Sequence, residues 1–170
     1  MRLTLLFTAI VAMLLLTGCT VEKSTQSIQE IMLTTQEITD LQMTPKYKTG
    51  DVDLPCVVEE SDSSRTQYAL CGYTKGDSEI IIELAKYNNL NDLNDSYQYA
   101  SSHLINSDWL IQQDAYGDMS KLQKWNESST FYYHFYIVKD MYMIHVTSKG
   151  VESDQATVVD IGKTMLDKIK

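Results

Sequence analysis

The chain has 170 residues and a formal charge of −9, from 14 Lys+Arg against 23 Asp+Glu. With 44% hydrophobic and 22% charged residues, three Cys and only two Pro, this composition excludes a disordered tail, a collagen-like repeat, a cysteine-dense miniprotein and a polytopic membrane protein. The acidic balance also argues against nucleic acid as a partner, because phosphate binding needs a basic stripe.

The chain begins with a short basic segment, Met1-Arg2, followed by an apolar run from Leu3 to Leu16 and then Thr17-Gly18-Cys19. This is the layout of a secretory signal, and the run is too short to cross a bilayer comfortably, since spanning takes about 20 apolar residues. Its ending, Leu16-Thr17-Gly18-Cys19, resembles the lipobox of prokaryotic lipoproteins. The resemblance implies that residues 1–18 are removed, that the Cys19 thiol is lipidated, and that the mature chain sits on the extracytoplasmic face of a membrane. A diacylglyceryl group supplies two acyl chains at about 0.8 kcal/mol per buried CH2, enough for stable anchoring. The alternative is an uncleaved signal anchor with an incidental Cys. Residues 19–27 are polar and aperiodic, a tether, and residues 28–170 have the size of one domain.

Thr34-Thr35-Gln36-Glu37 is a capping-box pattern that predicts a short helix from Thr35 to Leu41. Cys56 and Cys71 flank two strand-like segments around the polar run Ser61 to Arg65. A hairpin centred between Ser63 and Ser64 sets the two thiols directly opposite each other, within disulfide range. An exported chain with this even pair points to a structural disulfide, against two free buried thiols or redox and metal chemistry. There is no CxxC and no His beside either Cys.

Thr74-Lys75-Gly76-Asp77 marks a turn, and Glu79 to Tyr87 reads as a strand. Leu93, Tyr97, Ala100 and Leu104 recur at helical spacing, predicting an amphipathic helix from Asp92 to about Asn106. Shorter strands follow at Trp109–Gln113 and Ser120–Trp125, around a turn at Gly117-Asp118. The strongest strand pattern lies in Phe131–Val138 and Met141–Thr147, joined through a two-residue turn at Lys139-Asp140. Val158, Ile161, Met165 and Ile169 mark a final helix, capped by Ser153 or Asp154. The order predicts an α+β fold, a single domain whose antiparallel sheet is covered by two or three helices. In element order over residues 50–170 it resembles PsbP-like α/β/α proteins, a resemblance that implies a non-enzymatic binding or assembly role and transfers no site residue.

Pairing the last hairpin about Lys139-Asp140 gives one face with Tyr133, Phe135, Ile137, Tyr142, Ile144 and Val146, the expected core. The other face carries Tyr132, His134, Tyr136, Met143 and His145, with His134 expected opposite His145 and Tyr136 opposite Met143. These five residues form a candidate recognition surface for a small apolar ligand or an envelope protein. The paired imidazoles are also suited to a divalent metal or a pH switch, although no third ligand is evident. The plainer alternative is a second sheet face half covered by a helix.

GxSxG, HExxH, SxxK, P-loop, GxGxxG and EF-hand patterns are all absent, and no catalytic residue, metal site or cofactor is assigned. Asp92, Asp95, Asp108, Asp114 and Asp118 read as turn and cap residues rather than an acid/base supply, and His103 as a solvent-facing helix residue. Asn94 and Asn126 open N-x-S sequons and are candidate glycosylation sites if the host modifies its surface proteins. The reading is a membrane-anchored extracytoplasmic lipoprotein acting as a non-catalytic binding or accessory module. The alternatives are an envelope enzyme built on His134 and His145, or a purely structural lipoprotein.

Overall fold

Alternation of apolar and polar residues, period two, marks the strand segments, and these pair into one antiparallel sheet. The structure, a computed structural model, describes residues 26–46, 56–60, 64–102 and 109–170. Its elements are α1 (Ile28–Ile31), α2 (Thr35–Asp40), β1 (Thr44–Pro45), β2 (Cys56–Glu60), β3 (Arg65–Lys75), β4 (Ser78–Tyr87), α3 (Leu90–Ser102), β5 (Leu110–Gln113), β6 (Met119–Glu127), β7 (Thr130–Lys139), β8 (Tyr142–Gly150) and α4 (Asp154–Leu166). The sheet has 8 strands in the order β1-β3-β4-β8-β7-β6-β5, with β2 also paired to β3. β1 meets Tyr73 and Thr74, and β2 meets Gln67 to Cys71, so the two share one edge of β3 end to end.

Helices lie on both faces. On the first, Ile80, Ile82 and Leu84 of β4, Phe135 and Ile137 of β7, and Ile144 and Val146 of β8 pack against Val158, Ile161 and Met165 of α4 and against Ile28, Ile31 and Ile38 of α1 and α2. On the second, α3 inserts Leu93 and Tyr97 against Ala85, Tyr87, Tyr136 and Val138. This is the expected α+β domain. α4 approaches β7 closely, because Gly162 has no side chain: a Cβ there would lie 2.6 Å from a ring carbon of Phe135.

Several sequence expectations hold in detail. The Thr34–Glu37 capping box forms in both directions. Cys56 pairs with Cys71 in register and the two are joined by a disulfide. Gly117, at φ 60°, turns the chain where a Cβ would sit 2.3 Å from the Val138 carbonyl oxygen. The acidic turn residues act locally: Asp118 Oδ2 accepts the Asp140 N–H at 2.8 Å, and Asp114 Oδ1 accepts that of Ser120 at 3.3 Å.

Other expectations change. The last hairpin turns at Asp140-Met141, not Lys139-Asp140, so His134 pairs with Thr147, Tyr136 with His145, and Tyr132 with Lys149. Asp140 takes a positive φ of 52°, which a mirror-image hairpin turn needs at its first central position and an aspartate tolerates better than a lysine. The slip is two residues, so both faces keep their membership. α3 begins at Leu90 instead of Asp92, because Asn89 caps it: Asn89 Oδ1 accepts the Asp92 N–H at 2.9 Å. α4 stops at Leu166, and Ile169 is buried beyond its end. Ser153 makes no side-chain cap; Asp154 Oδ2 instead accepts the Val151 N–H at 2.9 Å. α1 and β1, too short for a periodic signal, were not anticipated. Gln26, assigned to the tether, is held by the fold: its carbonyl accepts from Lys86 Nζ and Tyr142 Oη, and its side-chain amide donates to the Lys168 carbonyl. The signal segment, Cys19, His103 and Asp108 lie outside the described residues.

Candidate functional site

α3 covers only part of the second sheet face, and where it ends sideways a cleft of about 630 Å3 opens toward β3. Its floor is built from alternate residues of four strands: Tyr68 of β3, Glu83 and Ala85 of β4, Met143 and His145 of β8, and Tyr136 of β7. Ser96, Tyr99 and Ala100 of α3 form one wall, Arg65 stands at the rim, and the nearly buried Tyr87 completes the lining. The volume lies within the range of small-molecule sites, about 300–1,000 Å3, and most of the lining is aromatic or aliphatic.

A hydrogen-bonded chain runs along the floor. Tyr68 Oη donates to Glu83 Oε1 at 2.7 Å, and His145 Nδ1 donates to Glu83 Oε2 at 2.5 Å. The other ring nitrogen of His145, Nε2, lies 3.0 Å from His134 Nδ1, which is also 3.2 Å from Tyr136 Oη. The hydrogen bond from His145 holds the Glu83 carboxyl below the usual carboxylate range, despite burial, which acts the other way. Burial pushes the His134 imidazole down to about 3, reinforced by His145 beside it, so this ring is neutral at physiological pH. Burial and the Glu83 charge raise both Tyr68 and Tyr136, which therefore stay protonated.

The histidines also belong to a row of stacked rings. Tyr136 lies over His145 with centroids 4.1 Å apart and planes within 10°. His134 stacks on Trp125 at 4.9 Å, and Trp125 in turn stacks on Tyr132 at 5.1 Å and on Trp109 at 5.2 Å. Both tryptophans of the chain are in this row. Cross-strand aromatic neighbours of this kind stiffen the sheet, each pair contributing about 0.5–1.5 kcal/mol.

Of the five residues expected to form a recognition surface, Tyr136, Met143 and His145 line the cleft. His134 stands behind His145, and Tyr132 lies further along, next to Trp125. Tyr136 is buried rather than presented at the surface. The two imidazoles do meet, diagonally across β7 and β8 rather than as directly opposed residues. Among the described residues, no three His, Cys, Asp or Glu converge as metal ligands. Asn94 and Asn126 are both exposed. Sequence reasoning passed over Glu83, Tyr68 and Arg65. A signal for Glu83 existed: it is an acidic residue mid-strand, between Ile81 and Ala85 on one face of a strand whose other face is Ile80, Ile82 and Leu84.

No protein-family model matches the chain, and no curated protein matches it. Among solved structures it is similar to the crystal structure of the extracellular domain of PknH from Mycobacterium tuberculosis, with a TM-score of 0.49 and 11% identity, covering 83% of this chain and 93% of that chain.

Proposed function

We propose that this chain is a lipid-anchored extracytoplasmic binding domain, non-catalytic, that seats a small ligand in the cleft between α3 and the sheet. The cleft carries the reading: it combines adequate volume, an apolar lining and a few oriented polar groups, the usual makeup of a ligand site. The lipobox-like Leu16-Thr17-Gly18-Cys19 supports the anchor, and the Cys56–Cys71 disulfide fits an oxidising compartment. The deciding experiment is a fragment screen by ligand-observed NMR on the intact protein in detergent, repeated with Ala100→Trp, which fills the cleft from the α3 wall. Binders that lose their signal in the variant support the reading, and a screen yielding no cleft-dependent binder overturns it.

A second reading, an envelope enzyme, draws on the Glu83–His145–His134 chain, where a carboxylate orients an imidazole as in general-base sites. Binding is favoured over catalysis because both ring nitrogens of His145 already have protein partners, so neither is turned toward a substrate in the cleft. Turnover of a cleft-bound compound that stops in His145→Gln while its binding persists would reverse that preference.

A further inference from the structure

Resting on the cleft as the ligand seat, we infer that its ligand is a small organic cation, an amine or amidinium on an apolar body, whose charged head is received by Glu83 among the tyrosine rings. Glu83 is the acidic group of the floor, its side chain 34% exposed. Each of its oxygens accepts one hydrogen bond from the protein, Oε1 from Tyr68 and Oε2 from His145, which orients the carboxylate and leaves lone pairs for incoming donors. An ammonium or amidinium supplies such donors, and the resulting charge-assisted bond is among the stronger ones in proteins.

The walls suit the same chemistry. Tyr99 is exposed and Tyr68 half-buried, and phenol rings of this kind have negative faces that attract cations; Tyr87 and Tyr136 line the cleft but are nearly buried. The protein itself makes this contact at the cleft mouth: the Arg65 guanidinium lies 4.8 Å from the Tyr68 ring centroid. That face of Tyr68 is therefore taken, and Arg65, whose charge also acts on Glu83, is the group a bound cation would sit beside and compete with, which leaves the exposed Tyr99 ring as the aromatic face for the ligand. The chain's charge of −9 draws cations toward the molecule and repels anions, and an anionic head group on the floor would meet Glu83 directly. The apolar body of the ligand would lie on Ala85, Ala100 and Met143.

The test compares three probes of equal shape on the intact protein in detergent: phenethylamine as cation, 2-phenylethanol as neutral form and 3-phenylpropionate as anion. Affinities come from calorimetry, with thermal melts as the folding control. The cation should bind about tenfold or more tighter than the neutral probe, and the anion weakest of the three. Glu83→Gln should cut the cation's affinity about tenfold while changing the neutral probe's by less than about twofold. Tyr99→Ala, at an exposed helix position, should weaken the cation severalfold and the neutral probe less, with the thermal melt as the folding control. Equal binding of all three probes, or cation affinity unmoved by Glu83→Gln and Tyr99→Ala, overturns the cation assignment and leaves the cleft reading standing. Failure of all three to bind overturns it too, and the fate of the cleft itself then follows from the Ala100→Trp comparison.

Discussion

His134 shows at the scale of one residue how burial converts a common side chain into a conditional one. Held at about 3 by desolvation and by His145, it refuses the proton that the unfolded chain accepts below its ordinary value near 6.5. The unfolded state thus binds more protons below pH 6.5, and stability, complete above that pH, is lost progressively as pH falls toward 3. Glu83, with its lowered carboxyl, acts in the same direction below its ordinary 4.5. Unfolding free energies from urea melts should therefore fall between pH 7 and 4 with a slope from His134 approaching about 1.4 kcal/mol per pH unit, and His134→Gln should flatten that slope. An unchanged slope in the variant would show that the ring is not held neutral. Chemical identity at these positions was visible in the chain, but the consequence was not, since desolvation depends on what other strands bring alongside.

At the scale of elements, two devices can be tested separately. The β2–β3 hairpin is closed by Cys56–Cys71, which spans 15 positions; in the chain-entropy model a loop of that size is worth about 3 kcal/mol. Reduction, or Cys56→Ser/Cys71→Ser, should lower the denaturation midpoint accordingly, and equal midpoints with and without reductant would contradict a stabilising bridge. The α4–β7 contact depends on Gly162. Gly162→Ala puts a methyl into the Phe135 ring and should cost about 1–3 kcal/mol by overpacking, against the small gain that alanine normally brings to a helix. The hairpin register was legible because composition, turn and cysteine spacing all agreed on one centre. The β7–β8 register was not, because two adjacent two-residue turns, Lys139-Asp140 and Asp140-Met141, preserve the same faces, and only the backbone at Asp140 separates them. The Asp118 side chain, bonded to the Asp140 N–H from the neighbouring β5–β6 turn, holds the chosen one.

For the whole molecule, the proposed arrangement is an acidic domain tied to a membrane through its N-terminal segment. Within the described residues no helix is long and apolar enough to cross a bilayer. Residue Gln26, where the described chain starts, is clasped by Lys86, Tyr142 and the carbonyl of Lys168, so pull from an anchor would be delivered to the sheet and to the C-terminal segment together. If Cys19 is the lipidated residue, Cys19→Ala should leave a precursor that gains no lipid mass and should reduce the fraction extracted only by detergent. A variant with wild-type processing and partitioning would remove the anchor from the proposal.

Local pattern was sufficient for what is decided within a few residues of chain: the capping box at Thr34, the hairpin that unites Cys56 with Cys71, the two-faced character of β7 and β8, and hence the α+β class. These features depend on spacing, and spacing is carried by the sequence directly. The cleft is of another kind. Tyr68, Glu83, Tyr136 and His145 come from four strands, and α3 must leave part of their face uncovered for them to reach a ligand at all. Strand order and helix placement arise from long-range burial, a property of all the elements packing at once, so the tertiary structure alone decided which of the many tyrosines and carboxylates would share a site.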